Sequence, residues 1–410
     1  MTLNKLSPFA PIPYWRLAFF YFFYFAFLGA WVPYWALYLE QVALFNAEEI
    51  GLVMGISMAT RIIGPYFWGL LADSLSDRLA VIRLGALLAC VCFSPLFLLP
   101  GFAWFCLSVL LFSFFWNAIL SQFEALTLLH LQTQAEAYSW VRLWGSIGFI
   151  MTVLGLGYCF NLVAFISLES LLLIMWCLLV AICLSCIFVP NVSQDKPPPI
   201  VESESSNKGY AAQSFWQVFK RPQILAMFVV FFFVQLAFGP FYTFFSIYMQ
   251  ELAYSETEIA WYWSAGVIAE VFLFMLMASL IRIFSLKSLW LITLTISATR
   301  WFVTAEFGDE PMVLFIAQLS HAISFASMHA LSMHWLKIHF SAHVQGQAQA
   351  AYSAISYGAG GALGAILSGY LWPVIAAGIF HLAAMACLIA ALIVLFMPND
   401  KPRQTLALNQ

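Results

Sequence analysis

Long apolar runs follow one another along this chain, separated by short polar turns. Each run is long enough to cross about 30 Å of hydrocarbon as an α-helix. The pattern predicts twelve spans, over about 14–39, 47–72, 79–100, 102–132, 138–160, 164–190, 222–249, 256–281, 287–305, 311–338, 347–370 and 372–398. The runs are continuous rather than alternating, which excludes a membrane β-barrel. One stretch breaks the rhythm. Residues 191–214 (NVSQDKPPPIVESESSNKGYAAQS) are polar and proline-rich, a flexible cytoplasmic linker. The expected organisation is an N-terminal six-helix bundle over 1–190, a linker over 191–221 ending in an interfacial helix, and a C-terminal six-helix bundle over 222–410. The fold class is all-α and polytopic, with two pseudo-symmetric halves.

Composition agrees. The chain is 63% hydrophobic and 9% charged, against about 25% charged in soluble domains. Basic residues gather at the N-terminus, in alternate loops and at the C-terminus, whereas the opposite loops carry Glu40, Glu48, Glu49, Glu251, Glu256, Glu258, Glu306, Asp309 and Glu310. The positive-inside rule then places both termini in the cytoplasm, here of a bacterial inner membrane. Lys5 and Arg16 precede a long first span without a cleavage site, so this span is expected to be retained. All eight cysteines fall in apolar spans, outside any disulfide or zinc spacing. No nucleotide loop or nucleophile elbow is present. The expectation is a protein that is not an enzyme, uses no cofactor or metal, binds no nucleic acid, and sits in the bilayer as a monomer.

The two halves repeat. Asn46 and Glu49 open the second span as a capping box, and Ser255 with Glu258 opens the eighth in the same way. Each box is followed at equal distance by a charge inside the helix, Arg61 in one and Glu270 in the other. The next loops match, Arg78 through Arg83 against Arg282 through Lys287, as do Ala137-Tyr138-Ser139 and Ala351-Tyr352-Ser353. Duplicated halves around a midplane site are the build of many secondary transporters.

Five formal charges lie inside spans: Arg61, Glu124, Arg142, Glu270 and Arg300. Each costs about 2.5–3.5 kcal/mol at a helix centre, so they should pair or line a wet cavity. Glu124 and Arg142 stand roughly 12 Å and 6 Å from one cytoplasmic turn, close enough to pair across it. Glu270 and Arg300 lie mid-span, with His321 and Gln318 in the tenth span. Three positive charges against two negative favour an anion, and a protonated Glu270 would let that anion enter with a proton. The aromatic first span offers Tyr24 and Trp31, seven apart on one face, as cavity-lining candidates. Asn117 and Gln122 in the fourth span could hydrogen-bond substrate or neighbouring helices. The run Gly358 to Gly364 permits close helix approach.

Gly69-Leu70-Leu71-Ala72-Asp73 followed by Arg78 resembles the loop signature of the major facilitator superfamily, with Ser76 and Asp77 in place of its usual glycine and arginine. Glu124, with Arg142-Leu143-Trp144-Gly145-Ser146, resembles the glutamate–arginine pair of the lactose/proton symporter. Phe149 stands where an aromatic residue stacks on the sugar there. Glu270, Arg300 and His321 match its remaining charged residues. Gln318, Ser324 and Gly239-Pro240-Phe241-Tyr242 depart from that pattern. The departures, with Trp263-Ser264-x-Gly266-Val267-x-x-Glu270-Val271 and Arg300-Trp301, resemble the 3-phenylpropionate permease family. That resemblance implies proton-linked uptake of a small, anionic aromatic carboxylate by alternating access. In it Arg142 and Arg300 engage substrate, with Phe149, Tyr24, Trp31 and Asn117 lining the path, and Glu124 orients Arg142. Glu270 and His321 carry proton coupling with Arg61, and Gly69, Asp73 and Arg78 form a conformational loop. The alternative is a proton-coupled sugar or nucleoside symporter.

Overall fold

The computed structural model describes residues 13–75, 77–98, 101–131, 137–163, 166–191 and 214–398. Ser76, Lys5, both termini and most of the linker lie outside the described residues.

The chain runs through α1 (Tyr14–Gln41), α2 (Ala47–Ala59), α3 (Gly64–Leu75), α4 (Arg78–Phe93), α5 (Phe102–Leu131), α6 (Ala137–Leu162), α7 (Leu171–Phe188), α8 (Phe215–Phe219), α9 (Pro222–Glu251), α10 (Glu256–Ile283), α11 (Leu286–Glu306), α12 (Pro311–Leu319), α13 (Met328–His339), α14 (Gln345–Ser353), α15 (Gly361–Ile375) and α16 (Ile379–Phe396). Short 3₁₀ or π-helical turns join several of these end to end. Thr60–Ile62 links α2 to α3, Ile323–Ser327 lies between α12 and α13, and Ala354–Gly360 joins α14 to α15.

Among the described residues, ten helical stretches are long and apolar enough to cross a membrane. The difference from the twelve expected spans has two causes. The stretch Ala342–Phe396 is 55 residues long and turns at Ala376, whose φ is +42°, so it holds two spans. The helix α11, with 21 residues, is long enough, but Arg300 and its flanking serines and threonines lower its hydropathy.

Both expected capping boxes form. Glu49 N–H donates to Asn46 Oδ1 at 3.0 Å and Asn46 N–H to Glu49 Oε2 at 3.0 Å. At α10, Ser255 N–H donates to Glu258 Oε2 at 2.8 Å and Glu258 N–H to Ser255 Oγ at 3.3 Å. Each box satisfies two orphan donors at a helix start.

By internal contacts the chain divides into two compact units. The first draws on Met1–Val32, Gly64–Gly155 and Glu169–Ser206, the second on Pro33–Ile63, Leu156–Leu168 and Asn207–Gln410. Their borders fall inside α1 and α6.

In the first unit α4 lies along α5 and α7, and α3 rests on α5. An aromatic column joins α1 to α5: Phe20 stacks on Phe123 at 3.5 Å and Tyr24 on Trp116 at 4.1 Å, while Trp31 meets Phe112 at 5.5 Å. Arg83 on α4 donates to the last carbonyls of α7, from Nε to Cys186 at 3.1 Å and from Nη2 to Ile187 at 3.0 Å and Val189 at 3.1 Å. These carbonyls have no partner within the helix, so a cation there is doubly favourable.

In the second unit α9 packs against α15 and α16, α16 runs along α11, and α2 runs along α15. Backbones touch where glycines remove side chains. A Cβ on Gly239 would stand 2.2 Å from the Gly364 carbonyl carbon, and one on Gly51 would stand 2.7 Å from Gly369 Cα. The expected small-residue run of α15 is therefore a close-packing seam. Lys287 at the start of α11 donates from Nζ to Leu395 O at 2.8 Å and Met397 O at 2.7 Å, the last carbonyls of α16. The device matches that of Arg83: a basic side chain opening the third span of each half holds the end of the sixth.

Candidate functional site

The second unit gathers the mid-span charges of α10 to α13. Glu270 on α10 meets His321 just beyond α12, Oε1 to Nε2 at 2.7 Å, with side chains 13% and 7% exposed. Gly266, one turn before Glu270, faces the same groups: a Cβ there would be in ordinary contact, 3.4 Å from the His321 ring and from Gln318 O. The other ring nitrogen, His321 Nδ1, is buried without a hydrogen-bond partner.

Arg300 on α11 is 2% exposed. Its Nη2 donates to Gln318 Oε1 at 2.9 Å, a neutral acceptor, while Nε and Nη1 are buried and have no hydrogen-bond partner among the described residues. Aromatic faces surround the guanidinium: its Cζ lies 4.1 Å from the Trp301 ring, 4.5 Å from Phe241 and 5.8 Å from Phe238. Cation–π contact is worth about 2 kcal/mol or more when desolvated, less than the several kcal/mol needed to bury the ion. Nε and Nη1 lie on different edges of the guanidinium, and either one completes a carboxylate-matching fork with the second N–H of Nη2, so an open edge in this apolar cage makes a receptor for a planar anion. A neutral Glu270–His321 pair leaves this cation uncompensated; an ionised Glu270 balances it.

The first unit holds the second arginine. Arg142 Nε on α6 lies 3.7 Å from Glu124 Oε1 on α5, with side chains 30% and 36% exposed. Its guanidinium covers Phe25 at 3.9 Å and Tyr21 at 5.6 Å. Tyr138 also hydrogen-bonds Glu124. Gly145 and Gly148 let α6 press on α1: a Cβ on Gly145 would stand 2.8 Å from Phe25 Cδ2, and one on Gly148 would stand 2.2 Å from Phe22 O.

The other candidates are placed as follows. Tyr24 and Trp31 are buried in the aromatic column described above. Phe149 is buried on α6, its carbonyl 2.7 Å from where a Gly29 Cβ would stand. Asn117 is half-buried on α5. Arg61 lies in the 3₁₀ turn Thr60–Ile62, with Cζ 5.8 Å from the Tyr357 ring. Sequence reading overlooked the Phe238–Phe241–Trp301 cage, Phe25 and Tyr242. Tyr242 stands within electrostatic reach of Glu270, Arg300 and Arg61. Aromatics are too common in this chain, with 41 phenylalanines, for any one to stand out.

The profile of the MFS_1 like family matches residues 14–383. The chain belongs to that family. As a family member it is a secondary transporter of the major facilitator superfamily and a multi-pass membrane protein, not an enzyme. It is 27% identical to a probable 3-phenylpropionic acid transporter of Escherichia coli (strain K12), over 91% of this chain and 94% of that protein. It is 28% identical to a maltose permease of Geobacillus stearothermophilus, over 94% of each. Two crystal structures of the nucleoside transporter NupG superpose with TM-scores of 0.78 and 0.76, at 18% and 17% identity, covering 93% of this chain and 98% of NupG in each case. The last likeness shows the major facilitator fold.

In this major facilitator protein the α3–α4 loop is tied down by charge. Arg78 Nη2 meets Asp73 Oδ1 at 2.7 Å, and Arg78 Nη1 donates to Gln122 Oε1 at 3.2 Å. Gly69 faces the same amide, where an added Cβ would stand 3.8 Å from Gln122 Nε2. Gly69, Asp73 and Arg78 thus form one cluster with Gln122.

Proposed function

We propose that this transporter is a proton symporter that takes up a small aromatic carboxylate, such as 3-phenylpropionate, across a bacterial inner membrane. Two six-helix halves, over 1–190 and 222–410, alternate access as a monomer with both termini in the cytoplasm. The observation that carries the reading is Arg300, a buried guanidinium with Nε and Nη1 unpartnered in an aromatic cage, beside the Glu270–His321 pair. The carboxylate takes one open edge of the guanidinium, Nη2 with Nε or Nη1, and the aromatic ring lies against the cage. Protonation of the Glu270–His321 pair removes the charge that otherwise balances Arg300, so proton and anion bind cooperatively; the coupling is reciprocal by linkage. Arg142, held by Glu124 with Phe149 nearby on α6, is the substrate-engaging residue of the first unit. The Arg78–Asp73 loop acts in the conformational change.

A neutral sugar or nucleoside is the second reading. It is favoured by the Glu124–Arg142 pair, whose charges already balance each other, and by the maltose permease likeness. The test is proton uptake by proteoliposomes on adding 3-phenylpropionate, maltose and uridine in turn. Proton entry with the acid supports the first reading. Entry with maltose or uridine alone overturns it in favour of the second.

A further inference from the structure

We propose that Tyr357 and His329, with Tyr352 and Ser332, conduct the coupled proton between the Glu270–His321 pair and the basic-loop end of the second unit. The inference rests on the symport reading and assigns a proton route to it.

Five hydroxyl or imidazole groups form one hydrogen-bonded cluster at the joins of α13, α14 and the π-helical turn before α15. Tyr357 Oη lies 3.3 Å from His329 Nδ1. Tyr352 is hydrogen-bonded to Tyr357, Ser356 and Ser332. Ser332 also donates to Met328 O at 2.7 Å. Gathering such groups inside an apolar helical bundle is costly, and intramembrane polar groups of this kind mark proton relays in pumps and transporters.

The cluster borders a cavity with room for about one water molecule. Gln235, Ser324, Ser332, Tyr352, Ser356 and Tyr357 supply its polar lining. Ser324 lies less than one turn beyond His321. Phe238, which also lines the cavity, is 5.8 Å from the His321 ring. Phe238 and Phe325 of the cavity wall touch the His321 ring on one side, and Tyr357 of the wall reaches His329 on the other. His321 and His329 are eight residues apart on one helical stretch, a descent of about 12 Å. Both π-helical turns converge here, Ile323–Ser327 contributing Ser324 and Phe325, and Ala354–Gly360 contributing Ser356 and Tyr357. Such turns are often found at functional sites.

The charged groups facing the cluster set its direction. Arg61 lies over Tyr357, and Tyr242 is within electrostatic reach of Tyr357 as well as of Glu270 and Arg300. The Arg61 cation opposes a second positive charge on the Tyr357 oxygen, so an arriving proton passes on. With His329 carrying its hydrogen on Nε2, the Tyr357 O–H donates its proton to Nδ1 as another proton reaches the Tyr357 oxygen from the Glu270 side. Tyrosine is left neutral, and the His329 imidazolium releases its Nε2 proton toward the basic-loop end. Return of the ring proton to Nε2 resets the cycle.

The test uses the full chain in proteoliposomes with labelled 3-phenylpropionate, comparing uphill accumulation driven by a pH gradient with exchange at equal pH. For Tyr357→Phe and His329→Gln, accumulation should fall about tenfold or more while exchange changes less than about threefold. The His329→Gln variant should also lose the dependence of efflux on internal pH, which a packing role would not supply. Full accumulation by both variants overturns the relay while leaving symport intact. If wild-type protein moves no proton with the acid, the symport reading falls and takes the relay with it. Loss of exchange and accumulation together in both variants assigns the cluster to packing and also overturns the relay.

Discussion

Each unit holds a candidate arginine, and the two differ in what surrounds them. Arg142 is a third exposed, faces Glu124 at 3.7 Å, and rests on Phe25. Arg300 is buried, bonded to a neutral amide, and enclosed by three rings with two N–H groups unpartnered. Arg142 sits where α6 approaches α1 through Gly145, and Arg300 is anchored by the Gln318 amide. The difference that matters for a ligand is one of charge balance. A balanced, half-wet pair can orient a substrate with little change in free energy. An unbalanced cation in a dry cage makes anion binding depend on the protonation of its neighbours.

The sharpest way to break this comparison is to remove the buried cation. Arg300→Ala should lower 3-phenylpropionate uptake by about 10²-fold or more, since truncating one partner of a buried charge contact costs 2–5 kcal/mol. Arg300→Lys should recover little, because a point charge lacks the guanidinium fork. Next, Glu270→Gln mimics the protonated pair. It should abolish accumulation against a gradient yet keep exchange, measured side by side in proteoliposomes; accumulation by the variant removes Glu270 as the coupling group. A smaller effect is expected at the exposed pair. Arg142→Ala and Glu124→Gln should each raise KM by about tenfold, with a coupling in the double-mutant cycle of about 1 kcal/mol or less. A coupling far above that would show that Arg142 is as dry in the working protein as Arg300. The smallest effects concern the helix-end clamps. Arg83→Met and Lys287→Met should each lower stability by about 1–3 kcal/mol through orphaned carbonyls, seen as a reduced Tm in detergent, with uptake per folded molecule unchanged.

Much of the fold could be read from residues alone because the signals are local. Hydrophobic runs mark the spans, Asn46 and Ser255 mark helix starts, and the Gly358 to Gly364 run marks a seam. The break at Ala376 fell near an expected span limit. The pairing of Glu124 with Arg142 was also legible, since hairpin geometry places them together. The Glu270–His321 contact could be suspected only from rarity of charge. Its partners in the Arg300 cage could not be found, because Phe238, Phe241 and Trp301 look like any other aromatics until α9 folds against α11. His329 was equally hidden, although its spacing of eight from His321 puts both on one helical face.

The π-helical turns at Ile323–Ser327 and Ala354–Gly360 have a consequence for sequence length. Each holds a wider ring of backbone than the α-helices on either side, so the helix accommodates an extra residue without a loop. Deleting one residue there would restore α-helical pitch and leave the helix beyond in phase, whereas a deletion in a neighbouring α-helical turn rotates everything beyond by about 100°. His329 would keep its face toward Tyr357, and α15 would still present its glycines to α9. These two stretches should tolerate single-residue deletions that the flanking α-helical turns reject, and a deletion scan of the expressed protein, read by Tm in detergent, would mark the two turns by what they accept.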